Sequence, residues 1–105
     1  MKIEEKLLAM VDSLLDEKIT VEEFREAYVP LFNGERADEL TDEEDSYFGL
    51  IDTRIDFTER DPDLESIKVG FMNYEQFISW LKEFRKEWQR EGWYEEYCKE
   101  LQGKG

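Results

Sequence analysis

The chain has 105 residues, of which 40% are charged; 28 Asp and Glu against 14 Lys and Arg give a net charge of −14. With no histidine and one cysteine, it lacks the commonest general base and metal ligand and can form neither an internal disulfide nor a multi-cysteine zinc site. Its length fits a single domain, 1–105, and its charge disfavours direct contact with nucleic acid or an anionic membrane while favouring a basic partner.

The first periodic segment runs from Ile3 to Leu15. Ile3, Leu7, Met10, Val11, Leu14 and Leu15 recur at spacings of three and four, which predicts one amphipathic helix. It begins directly in Met1-Lys2-Ile3-Glu4-Glu5-Lys6, which reads as a charged helix and not as a signal peptide, so a cytoplasmic location is expected. Thr20-Val21-Glu22-Glu23 has the form of a capping box and opens a second helix with Val21, Phe24, Ala27, Tyr28 and Leu31 inward. Pro30 lies inside that pattern and predicts a kink or an end there, with Asn33-Gly34 as the stop.

Residues 35–40 read as a polar connection. Thr41-Asp42-Glu43-Glu44 is a second capping box, and a third helix is expected to about residue 57, with Tyr47, Phe48, Leu50, Ile51 and Ile55 on its apolar side. Residues 60–72 read as a loop, broken by Asp61-Pro62 and Gly70. Asn73-Tyr74-Glu75-Gln76 opens a fourth helix carrying Tyr74, Phe77, Ile78, Leu81, Phe84 and Trp88, with a bend or break expected near Gly92. Trp93, Tyr94, Tyr97, Cys98 and Leu101 then form a short last helix that folds back. The expected fold is all-α: an antiparallel four-helix bundle with a short additional C-terminal helix after Gly92.

Charge is concentrated in the middle of the chain. Residues 1–34 carry net −4, residues 35–65 net −10, and residues 66–105 net 0. At 100° per residue Asp45, Asp52, Asp56 and Glu59 fall within roughly 60° of one another, opposite the apolar face of the third helix if that helix persists to Glu59. Asp61, Asp63 and Glu65 continue the acidic character into the loop. An EF-hand register starting at Asp61 fails, because Ser66 stands where the loop needs glycine and Met72 where it needs a bidentate glutamate. No metal or other cofactor is expected. Asp52 and Asp56 are one turn apart, but on a solvent face nothing tunes them for acid–base catalysis, and no nucleophile–base pair or phosphate-binding glycine loop is present. The chain is expected not to be an enzyme.

Like charges one turn apart cost a helix a few tenths of a kcal/mol per pair. A sequence that keeps several such costs on one face is using the field or is simply well solvated. A row of carboxylates at helical-turn spacing imitates the phosphates of a nucleic-acid backbone, and its natural target is a protein with a basic nucleic-acid cleft. Cys98 reads as a small buried hydrophobe rather than a reactive thiol, Trp88 as core, Trp80 as the margin of its face, and Trp93 with Tyr94 as either core or an interaction anchor.

Two segments resemble the colicin D immunity protein family. Leu7 to Phe32, LLAMVDSLLDEKITVEEFREAYVPLF, resembles its first two helices; Asp52 to Phe84, with Glu59-Arg60-Asp61-Pro62-Asp63 and the helix opened by Asn73-Tyr74-Glu75-Gln76, resembles its second half. The resemblance implies a small helical immunity protein that binds its cognate tRNA-cleaving toxin domain, as 1:1 protein–protein complex, and covers the basic active-site cleft. Similar proteins accompany bacteriocins and contact-dependent growth inhibition toxins. By position, Asp45, Asp52, Asp56, Glu59, Asp61, Asp63 and Glu65 are the expected toxin-binding residues. The alternative is a DNA mimic that inhibits a DNA-binding protein. An adaptor bundle working through its aromatic tail is a third possibility.

Overall fold

The computed structural model describes residues 1–103. Helix α1 (Ile3–Leu15) forms because its apolar residues fall on one stripe, and Ile3, Leu7, Val11 and Leu14 of that stripe are buried. Fully burying side chains of this size contributes about 1.5–3 kcal/mol each. Helix α2 (Val21–Phe32) starts on the capping box that the sequence announces. The Glu23 N–H donates to Thr20 Oγ1 at 3.1 Å, and the Thr20 N–H donates to Glu23 Oε1 at 2.9 Å. The helix continues through Pro30 to Phe32. Pro30 sits in the last turn on an exposed position, where one missing N–H is cheap, and Asn33 secures the end by donating from Nδ2 and from its backbone N–H to the Val29 carbonyl. Ala27, expected inward, is exposed.

A 3₁₀ segment, Glu35–Glu39, packs on α1 and α2 and leads to helix α3 (Asp42–Asp56). The Thr41/Glu44 capping box is formed, and four acids occupy the first turn, where the helix dipole favours them. Tyr47, Phe48, Ile51 and Ile55 are buried. The chain between α3 and the next long helix is not all loop. Asp63 caps a short helix α4 (Leu64–Lys68), and Gly70, at φ +105°, ends it in a conformation that a Cβ would disfavour. The base of this excursion is clipped by a single parallel bridge between Thr58 and Met72, in which Glu59 N–H donates to Met72 O and Met72 N–H to Phe57 O.

Helix α5 (Tyr74–Arg85) opens on the Asn73/Gln76 capping box and buries Phe77 and Leu81. It stops at Arg85, seven residues before Gly92. Tight turns follow, with Gln89 at φ +62° and Gly92 at φ +86°, before helix α6 (Trp93–Gly103). The early stop has a packing cause. Phe84, Trp88 and Trp93 all gather on Tyr47, with ring centroids 4.4, 4.9 and 5.5 Å away, and a straight helix to Gly92 could not bring all three to one side chain.

The fold is all-helical, 71% helix, with no strands among the described residues. Helix α1 packs on α2 and α5, and α3 packs on α2 and α5. Two buried tyrosines tie this arrangement together: Tyr28 donates to the Phe48 carbonyl and Tyr47 to the Phe84 carbonyl, each at 2.9 Å. Burial pushes both phenols well above their ordinary pKa, which keeps them as donors.

Candidate functional site

The seven carboxylates singled out from the sequence separate into two groups. Asp45, Asp52 and Asp56 lie on α3, and Asp45 and Asp56 are exposed. Asp52 is half-buried and accepts a hydrogen bond from Asn33 Nδ2 at 3.2 Å. Its carboxyl is raised above the ordinary range chiefly by partial burial; the Asn33 bond opposes this and the negative charge of Asp56 adds to it. The reason for the burial is angular. By helical rotation the centre of the buried face of α3 lies about 105° from the acidic stripe, not opposite it, so the stripe borders the core.

The second group lies on the segment that leads into α4 and on α4 itself. Helix α3 ends at Asp56, and the chain turns away to pair with Met72, so Glu59 does not extend the α3 stripe as expected. Glu59, Asp61, Asp63 and Glu65 are all exposed on the excursion. Asp63 is already engaged: its Oδ1 accepts from the Ser66 N–H at 2.8 Å, and that bond holds its carboxyl below the usual range.

Ion pairing sharpens the picture. Arg60 sits among the loop acids but reaches away to Glu22 on α2 at 2.9 Å. Arg36 pairs with Glu39, Arg85 with Asp12, Lys86 with Glu83, and Arg90 with Glu87 and Glu96. Among the described residues none of the seven candidate carboxylates is in an ion pair. Apart from Arg36 with Glu39, the paired cations serve acids outside residues 35–65, and that segment keeps its net charge of −10.

The excursion also displays apolar surface. Phe57, Leu64, Ile67 and Val69 are exposed, and Phe57 packs edge-on against Phe71. Beside them Leu50, Thr53, Arg54, Phe57, Val69 and Gly70 line a cleft of about 250 Å³. The sequence reading does not find this patch, because Asp61-Pro62 and Gly70 make residues 60–72 read as a loop. The signal was present in Asp63-Leu64-Glu65-Ser66, a local N-cap followed by apolar residues at a helical spacing.

The aromatic tail is placed too. Trp88 lies on Tyr47 and Phe48, Trp93 on Tyr47 and Phe84, and Trp80 on Phe84 with the Arg54 guanidinium 5.0 Å from its ring. Trp93 is therefore held on the core by packing, while Cys98, expected to be buried, is only half-buried, because α6 lies at the edge of the fold and buries none of its residues. Among the described residues no three Asp, Glu or Cys side chains converge to hold a metal ion, and no helix is long and apolar enough to cross a membrane. An open groove of about 650 Å³ between α1 and α2 is lined by Ala9, Met10, Ile19 and Ala27, with Lys6, Glu23 and Glu26 at its edge.

Comparison of the chain with models of protein families, with curated proteins and with solved structures finds no match.

Proposed function

We propose that this chain is an immunity-type protein: it binds a basic, tRNA-cleaving nuclease domain and neutralises it by occupying the cleft that holds RNA phosphates. The observation that carries the reading is the set of exposed, internally unpaired carboxylates within a segment of net charge −10. A guanidinium or ammonium that grips phosphate grips carboxylate equally well, and such charge-assisted bonds are the strong ones. The resemblance of Leu7–Phe32 and Asp52–Phe84 to the colicin D immunity family supports the same partner class.

The scaffold in this reading is an antiparallel four-helix bundle of α1, α2, α3 and α5, with α6 folded back on it and α4 carried on the α3–α5 connection. Inhibition is steric and electrostatic, with no chemistry performed by this chain and no cofactor. The complex is 1:1 and forms in the cytoplasm of a toxin-producing bacterium. Steering by complementary fields makes association fast and strongly dependent on ionic strength.

The test is affinity capture of the tagged chain from its source cells at moderate salt. A stoichiometric basic partner that cuts tRNA, and stops when this chain is added back, upholds the reading. A partner that binds DNA and does not cut tRNA moves it to DNA mimicry of a DNA-binding protein.

A further inference from the structure

We infer that the exposed apolar face of α4 is the anchor of a docking surface for a basic protein. Leu64 is 77% exposed, Ile67 52% and Val69 68%, with Phe57 at 42% beside them. A five-residue helix has no stability of its own, since isolated helices much longer than this are marginal in water. This one is held by its Asp63 cap, by Gly70 and by the clip at Thr58 and Met72, and none of its residues is buried. The fold thus maintains a helix whose apolar side chains contribute nothing to the core. Grouped exposed apolar residues with a charged rim are the ordinary form of a recognition surface.

Charge decides among occupants. Glu59, Asp61, Asp63 and Glu65 are exposed on the same short segment, Arg60 is drawn off to Glu22, and Lys68 is the cation left on the helix itself. A second copy of this chain would set these four carboxylates against the same four and add two net charges of −14. An anionic lipid surface and a nucleic acid meet the same repulsion. A basic protein meets attraction at the rim and accepts the apolar side chains at the centre, and the 250 Å³ cleft by Phe57 and Val69 is large enough to receive a side chain in return. The inference rests on the reading above in taking the partner to be a basic protein; it does not require that partner to cut RNA.

The experiment places a photo-crosslinking benzoylphenylalanine at Ile67 and, separately, at Asp45 on α3 and at Ser79, exposed on α5, in the full chain expressed in its source cells. Products are identified by mass. The captured partner is then purified and titrated with the wild type and with the double variant Leu64→Ser, Ile67→Ser, whose exposed positions leave the fold undisturbed, as circular dichroism verifies. The expected result is a basic polypeptide crosslinked from position 67 and not from 79, with affinity reduced roughly 100-fold in the double variant, mostly through faster dissociation. No product from position 67, a product that is a second copy of this chain or an acidic protein, or affinity within about threefold of wild type overturns it. A basic partner at position 67 that leaves tRNA intact keeps this surface and removes the immunity reading. A tRNA-cleaving partner crosslinked from Asp45 alone does the reverse.

Discussion

Arg25→Met keeps the aliphatic stem of a half-buried side chain and removes its guanidinium. In the native protein Arg25 Nη2 donates to the Ile55 carbonyl at 3.0 Å and to the Thr58 carbonyl, joining the middle of α2 to the end of α3. The two acceptors do not lose equally. The Ile55 carbonyl also accepts from the Thr58 N–H at 3.2 Å and keeps that partner. The Thr58 carbonyl belongs to a residue only 1% exposed and loses its donor. A hydrogen bond to a charged group contributes about 1.5–3 kcal/mol, and an orphaned buried carbonyl costs about 1–3 kcal/mol; these describe one loss from two sides and do not add. With the arginine partly solvated, the expected destabilisation is about 2 kcal/mol. At about 4–8 °C per kcal/mol for a domain of this size, Tm should fall by about 8–15 °C. Urea denaturation followed by circular dichroism measures the first number, and hydrogen exchange shows where it acts. The amides of Glu59 and Met72, which form the clip just beyond Thr58, should gain exchange rate more than those of Leu7 and Val11 in α1. A loss under about 0.5 kcal/mol, the range of an ordinary surface change, or a uniform change in exchange would refute the reasoning.

Three further outcomes are expected. The Asp52 carboxyl is raised in the folded chain, so folding gains from Asp52 on the acid side of its titration and is penalised above it; Asp52→Asn should therefore be more stable at pH 7 by at most about 0.5 kcal/mol, since the group is largely screened, with the advantage vanishing below its ordinary value of 3.8. Denaturation at pH 7 and at acid pH checks this, and a less stable variant at pH 7 would contradict it. The Asp63 carboxyl is lowered by its bond to Ser66, so its support of α4 is present above 3.8 and lost as pH falls below that; Asp63→Ala should speed amide exchange at Ser66 and Ile67 several-fold at neutral pH and leave exchange in α1 unchanged. Asp56→Lys should leave helicity intact, because a cation suits the last turn of α3, while slowing association with the captured basic partner roughly tenfold at low salt and less at high salt; an unchanged association rate would place the contact elsewhere.

What the sequence made legible was local. Three capping boxes were readable because each motif and its hydrogen bonds lie within four residues, and the α1 stripe because helical spacing fixes which side chains share a face. The early end of α5 was not readable, because it depends on Phe84, Trp88 and Trp93 meeting Tyr47 across the fold and on Gln89 adopting a positive φ that its identity does not announce. Asp45, Asp56, Asp61 and Glu65 are exposed as the charge pattern implied. Glu59 left the α3 stripe because of a pairing with Met72 that is non-local, and Asp52 is half-buried because the stripe borders the core on the side where Asn33, at the end of α2, reaches it. The exposure of Leu64, Ile67 and Val69 is likewise a tertiary outcome, since nothing local says whether apolar residues in an excursion turn in or out.

The bridge between Thr58 and Met72 has a consequence for variation. The residues between those two positions are tied to the rest of the chain by that bridge, by the packing of Phe71 on Phe57 and by the exposed pair of Arg60 with Glu22, and the helices that carry the core close on each other without them. Lengthening a loop whose ends are already fixed costs little, about 0.6 kcal/mol per doubling. Variants of this chain are thus free to exchange or extend this segment while leaving α1, α2, α3 and α5 as they are. Changes of length between Thr58 and Met72 leave the folding problem of the four long helices as it was.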